Sequence, residues 1–377
     1  MSNAQDSLVR ELAQKNVSLF SFENEGFKGA AWDSLLKEAS QTSQVLIGED
    51  HFFNEIPIFV AHLSNKIKFD NFFCEIDPYS ADLIELNLKN KSKKESIEFL
   101  TKYRNTFSFY ALGSEYNLME HLVNSKINII GTEQIMAIGD RLVCANLAKI
   151  TKDKKAKIIY EKIENQSKTY FEKFLQNPNE PMYMLTPEFE QDLNGLKDLK
   201  LSKEELQQIE LLKLSRKIYL EQNHQLRIQL MKNQLLSNFN ALNTQKNLFR
   251  YGAVHTPKGE SLLKIYDLGN LVNNIADSRF EKSVHWMIVG KTGKQGSPFE
   301  SFPAKELDSE NGDLSFLKPF FQATEGEKWH CFDLKPIRKE VEQGKIEVKD
   351  KMLLRTIMGY DKLIIIPKVT ASTFPKK

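Results

Sequence analysis

Two short stretches carry the residue types that could do chemistry at a useful spacing: Gly48-Glu49-Asp50-His51 and Gly252-Ala253-Val254-His255. Each places a histidine three residues after a glycine, and each follows an apolar run. Imidazole is neutral near pH 7, so such a histidine can take a proton or bind a metal ion. The glycine, lacking a Cβ, lets the chain turn sharply and lets a ligand come close to the backbone. Carboxylates sit at comparable places: Glu49 inside the first motif, Glu75 after "FFC", and Glu133 after "INIIG". A carboxylate on a neighbouring strand can orient an imidazole, hold a metal or act as its acid–base partner. Lys258 follows the second motif and offers a cation to a substrate. Asp50 and Asp77 read as turn and cap residues. His62, His285 and His330 read as structural, and neither His121 nor His224 is assigned a role. The chain contains no GxSxG, no HExxH, no P-loop and no GxGxxG leading into a helix. The usual serine hydrolases, the zincins and the nucleotide enzymes are thereby disfavoured.

Positioning such groups requires a sheet whose strand ends meet. The apolar runs at 44–48, 71–76, 127–131, 248–254, 285–290 and 362–367 are continuous rather than alternating, as in strands covered by helices on both faces. Helical patterns lie between the first three, at 54–67, 77–90 and 113–126. The expected fold is therefore α/β, with a mostly parallel central sheet flanked by helices. In such sheets ligands bind beyond the carboxyl ends of the strands, where both motifs and Glu75 fall. From 140 to 245 the strand runs vanish, and Leu, Lys, Glu and Gln recur at helical spacing. This predicts a long all-helical insertion, with helices over 155–176 and 203–242. The expected organisation is an N-terminal segment and helix (1–43), a first half of the α/β core (44–139), the insertion (140–245) and a second half of the core (246–377). The Gly-, Pro- and Ser-rich stretch 290–316 is expected as a long surface loop.

The 377 residues are 41% hydrophobic and 27% charged, as in a globular protein with a sizeable core. Lys+Arg total 52 against 50 Asp+Glu, so no general basic field calls for nucleic acid. No run approaches the length of a transmembrane helix. The three cysteines, Cys74, Cys144 and Cys331, form neither a disulfide framework nor a CxxC pair. At the start, "SNA" fits either a cloning scar or the remnant of a signal cleavage site. An exported or periplasmic protein and a cytoplasmic one both remain open.

The series strand–"GEDH", strand–"CE", strand–"GTE", helical insert and strand–"GAVH" resembles the superfamily of erythromycin esterases, ChaN-like haem-uptake proteins and TIKI/TraB proteins. "LRIQLMKNQLL" (226–236) is similar to that superfamily's Arg-x-x-x-Met helix, and "YDKLIIIPKVTAST" (360–373) to its closing strand. The resemblance implies Glu49, His51, Glu75 and His255 as active groups and Arg227 as a supporting pocket residue. Erythromycin esterases carry Gly-Glu-x-x-His-Gly; here the histidine comes one residue earlier and Phe52 stands in place of the glycine. The Gly-Glu-x-His spacing is nearer the ChaN-like branch. Three functions follow as expectations. The first is a hydrolase of an ester, lactone or amide, acting on a small-molecule or peptide substrate. It would be either metal-free or dependent on a divalent ion held by His51, Glu75 and His255. The second is a ChaN-like binder of haem or a related ligand. The third is an inactive member of the fold.

Overall fold

The computed structural model describes residues 2–300 and 302–375; Met1, Ser301, Lys376 and Lys377, at the ends of the sequence and in the 290–316 stretch, lie outside the described residues. Among the described residues ten strands form one sheet: β1 (Val17–Glu23), β2 (Gly26–Lys28), β3 (Gln44–Glu49), β4 (Asn71–Cys74), β5 (Asn128–Gly131), β6 (Asn247–Gly252), β7 (Ser283–Gln295), β8 (Lys305–Asp308), β9 (Trp329–Asp333) and β10 (Lys362–Val369). Their order is β2-β1-β9-β10-β7-β3-β6-β4-β5, with β8 paired to β7. The pairs β10–β7, β7–β3, β3–β6 and β6–β4 are parallel, whereas β9 and the β1–β2 hairpin are antiparallel. The sheet is thus mostly parallel and flanked by helices, the α/β class expected.

The chain divides into two compact units. The first comprises Met1–Glu75, Leu112–Ile129 and Leu236–Phe374, and the second Ile76–Ala111, Ile130–Leu235 and Pro375–Lys377. In the first unit, β3 and β6 are buried at every position, which is why their sequences run apolar without alternation. One core gathers Met287, Val289, Phe320, Phe332, Ile357 and Leu363. An aromatic cluster joins the β1–β2 hairpin to the sheet: Phe20 lies 5.2 Å from Trp329, and Phe59 stacks on Trp329 at 5.9 Å. Such pairs contribute about 0.5–1.5 kcal/mol each beyond their buried area. The second unit is helical around Val143, Cys144, Leu147, Tyr160, Ile163 and Leu212. In it Asp77 caps the helix Pro78–Asn90, accepting from the Ser80 N–H at 2.8 Å. The segment 203–242 is not one helix but three, Lys203–Glu221, His224–Ser237 and Phe239–Thr244. Gln222 ends the first in the left-handed region, at φ 48°.

Residues 290–316 depart from the expected loop. β7 continues to Gln295 and its end pairs with β8, through Thr292↔Asp308 to Gln295↔Lys305. The extension is exposed on alternate residues and carries no apolar run, so hydrophobic periodicity does not reveal it. Among the described residues no helix is long and apolar enough to cross a membrane, and the three cysteines are buried and form no disulfide.

Candidate active site

Parallel register brings the strand ends together. β3 and β6 pair so that Gly48 faces Tyr251 and Glu49 faces Gly252. β4 and β6 pair so that Cys74 faces Arg250. Glu49, Glu75 and Gly252 therefore emerge side by side at one edge of the first unit. The two glycines serve each other's motif. A Cβ on Gly252 would lie 3.1 Å from the His51 Nε2 and 3.5 Å from a Glu75 oxygen. A Cβ on Gly48 would strike the Thr256 hydroxyl and come within 2.8 Å of the Tyr360 hydroxyl and 3.0 Å of the Ala253 Cα. Each glycine thus admits atoms that the other motif supplies.

Two imidazole–carboxylate pairs face a single acid. His51 Nδ1 lies 2.8 Å from Glu49 Oε1, and its Nε2 lies 3.5 Å from Glu75 Oε2. His255 Nδ1 lies 2.9 Å from Asp267 Oδ2, and its Nε2 lies 3.6 Å from Glu75 Oε1. Glu75 Oε2 also accepts the Gly252 N–H at 2.8 Å, which fixes the carboxylate between the rings. The rings differ in access: the His51 side chain is 24% exposed and that of His255 only 1%. Behind Glu49 lies the fully buried Arg250, with Nε 3.5 Å from Glu49 Oε2 and Nη2 donating to Glu115 Oε2 at 2.5 Å.

The charges follow from this packing. Burial opposes protonation of His51, but its hydrogen bonds to Glu49 and Glu75 outweigh burial and raise its pKa to about 10. His255 is likewise opposed by burial, then raised to about 9 by the charge of Glu75 and the bond to Asp267. Burial alone would raise Glu75, yet the His255 charge and the bonds to both rings hold it well below the usual carboxylate range. At neutral pH the resting site is a carboxylate between two imidazolium rings. Burial lifts Glu115 to about 7 despite Arg250, and lifts Asp50 to about 6.

The remaining candidates have partners of their own. Arg227 and Glu133 belong to the second unit and form a bidentate pair, with Arg227 Nε 3.0 and 3.1 Å from the two Glu133 oxygens. Lys258 is paired with Asp361 at 2.8 and 2.9 Å. His62 packs edge-on to Phe22 and Phe27, His121 meets the Ser64 hydroxyl at 3.0 Å, and His285 is held by Ser283 and the Thr256 carbonyl. Among the described residues no group of three His, Cys, Asp or Glu side chains could hold a metal ion. Each Nε2 addresses its own oxygen of Glu75, and both Nδ1 atoms are taken by other carboxylates. Three partners escaped the sequence reading: Asp267, Arg250 and Glu115. Of these only Arg250 left a signal, as a lone charge inside the apolar run "LFRYG".

No protein-family model matches the sequence, and no curated protein matches it. Solved structures do. A protein described as a succinoglycan biosynthesis protein aligns with a TM-score of 0.60 over 99% of this chain and 99% of its own, at 14% identity. A mutant of the erythromycin esterase EreC, in its open conformation, aligns with a TM-score of 0.59 over 96% of this chain and all of its own, at 13% identity. The chain has the fold of an erythromycin esterase. At 13–14% identity the likeness is one of fold. The haem-binding ChaN of Campylobacter jejuni aligns over 73% of this chain with a TM-score of 0.35, which carries no argument about this one.

Proposed function

We propose that the protein is a metal-free hydrolase of an ester, lactone or amide, with His51 as its general base. The observation that carries this reading is the pair of imidazole–carboxylate couples converging on Glu75, with one ring reachable from solvent and the other sealed. Glu49 holds Nδ1–H of His51 and fixes the tautomer, leaving Nε2 to face the reacting atoms. In its neutral form Nε2 takes a proton from water as the water oxygen attacks the carbonyl carbon. The resulting imidazolium returns that proton to the departing oxygen or nitrogen when the acyl bond breaks. Glu75, as a carboxylate, accepts the second O–H of that water and orients it. His255, too buried to reach substrate, keeps Glu75 anionic and in place. Arg250 and Glu115 position Glu49. A haem-binding reading would place the iron at the His51 Nε2, where the Glu75 carboxylate lies 3.5 Å away.

The test is a panel of p-nitrophenyl esters, lactones and amides with the purified protein, with and without EDTA. Turnover that survives EDTA and falls at least a hundredfold in His51→Gln and Glu75→Gln supports the proposal. Turnover retained in His51→Gln, or abolished by EDTA, overturns it. No turnover on any member leaves the fold without this activity.

A further inference from the structure

Phe52, next to His51, has φ 75°. The left-handed region is a genuine outlier for a bulky side chain, costs free energy, and persists only where the surroundings over-determine it. Phe280 is the other aromatic residue with φ above zero among the described residues, and it is fully exposed in a turn. Phe52 is half-buried beside the candidate site.

The surroundings hold it from two sides. The Phe52 carbonyl accepts the Ser372 N–H at 2.9 Å and the Gly296 N–H at 3.1 Å. The Gln295 amide donates to the His51 carbonyl and to Asp50 Oδ1, at 3.1 Å each. Phe53 bridges to Ala371, and Asn54 donates to the Thr370 hydroxyl at 3.0 Å and the Ala371 carbonyl at 2.9 Å. A Cβ on Gly296 would come within 2.5 Å of the Ser372 carbonyl and 3.1 Å of that of Phe52, so only glycine lets the three segments meet. This clamp leaves the Phe52 ring edge-on to the His51 ring, with centroids 6.0 Å apart at 73°.

We propose that Phe52 is a specificity-determining residue: the clamp of Gln295, Gly296 and Ser372 holds its ring beside His51 as the wall that receives the apolar part of a substrate. This rests on the hydrolase reading for the word substrate, and it extends that reading to esters or amides with an apolar group next to the carbonyl. Bulk removed from this wall relaxes chain-length preference.

The experiment uses binding, so it stands apart from turnover. Straight-chain amides from acetamide to hexanamide are titrated into the full-length protein while the His51 ring signals are followed by NMR. Wild type is expected to tighten with chain length by roughly tenfold across the series, whereas Phe52→Gly shows a flat series. Phe52→Leu, which keeps apolar bulk, should restore part of the slope. Melting gives a second readout. Phe52→Gly should melt above Phe52→Ala, the reverse of their ordinary order, because only glycine relieves the left-handed strain. A chain-length slope in Phe52→Gly equal to wild type, or a wild-type series with no slope, overturns the proposal. A steep wild-type slope lost in Phe52→Gly, in a protein that turns over no ester, upholds the wall and removes only the hydrolase.

Discussion

Glu49→Gln isolates the charge behind His51 while keeping an acceptor of the same shape. With a pKa of about 10, only about one His51 ring in a thousand is neutral at pH 7. A carboxylate in contact shifts such a group by roughly 1–3 units, so deleting the Glu49 charge brings His51 down by about 2 units, or about 3 kcal/mol. The neutral fraction at pH 7 then rises about a hundredfold. The acid limb of kcat/KM, which reports the free enzyme, should shift to lower pH by about 2 units. The alkaline plateau should fall, because the charge that steadies the imidazolium formed during attack is gone. The assay is kcat/KM for the best ester of the panel between about pH 5.5 and 10.5, alongside NMR titration of the His51 ring. A variant limb at the wild-type pH, or a wild-type ring titrating near its ordinary 6.5, refutes the reasoning.

Arg250→Met strips the cation from between two buried carboxylates and should cost roughly 3–5 kcal/mol in urea unfolding. Glu115→Gln should cost under about 1 kcal/mol at pH 7, because burial already leaves that acid half-protonated there. Gly252→Ala pushes a methyl 3.1 Å from the His51 Nε2; ester turnover should drop by roughly a hundredfold while unfolding changes little, which denaturation and kinetics on one preparation will show. The melting temperature should follow the rings. His255 is raised from 6.5 to about 9, so its contribution is complete below pH 6.5 and is lost as pH climbs through 9. Glu75 is lowered, so its contribution is complete above its usual 4.5 and is lost in acid below that. Melting by circular dichroism should peak between these limits, and a curve still rising from pH 7 to 9 would contradict the assigned charges.

Much of this was legible because buried parallel strands announce themselves. The runs at 44–48 and 248–254 are apolar at every position, and a parallel sheet obliges their carboxyl ends to share an edge. Glu49, His51, Glu75 and His255, chosen from strand ends, lie within one cluster. Glu133 was chosen by the same rule, and its carboxylate pairs with Arg227 within the second unit. Strand position tells where a side chain leaves the sheet but not which partner reaches it first. Asp267 and Glu115 were invisible for a related reason. Asp267 sits in the loop before the helix Leu268–Asp277, where it doubles as an N-cap, and a cap is what its local sequence suggests. Glu115 lies in the first turn of the helix Gly113–Asn124, where acids are commonplace. β1, β9 and the far end of β7 escaped because their runs mix polar with apolar residues, and their pairing depends on neighbours distant in the chain.

The mutual fit of Gly48 and Gly252 has a bearing on how the molecule matures. Gln44 and Asn247, partners at the start of the same ladder, are separated by 203 residues. While β6 is still being synthesised, β3 has no neighbour on that side and the His51 ring has no floor to rest on. Closing so large a loop is slow compared with forming helices. Emerging chains therefore pass through a stage in which most helices exist and the imidazole cluster does not. Recovery of the cluster during refolding, followed by the ring signals of His51, would time the moment at which the middle of the sheet zips shut.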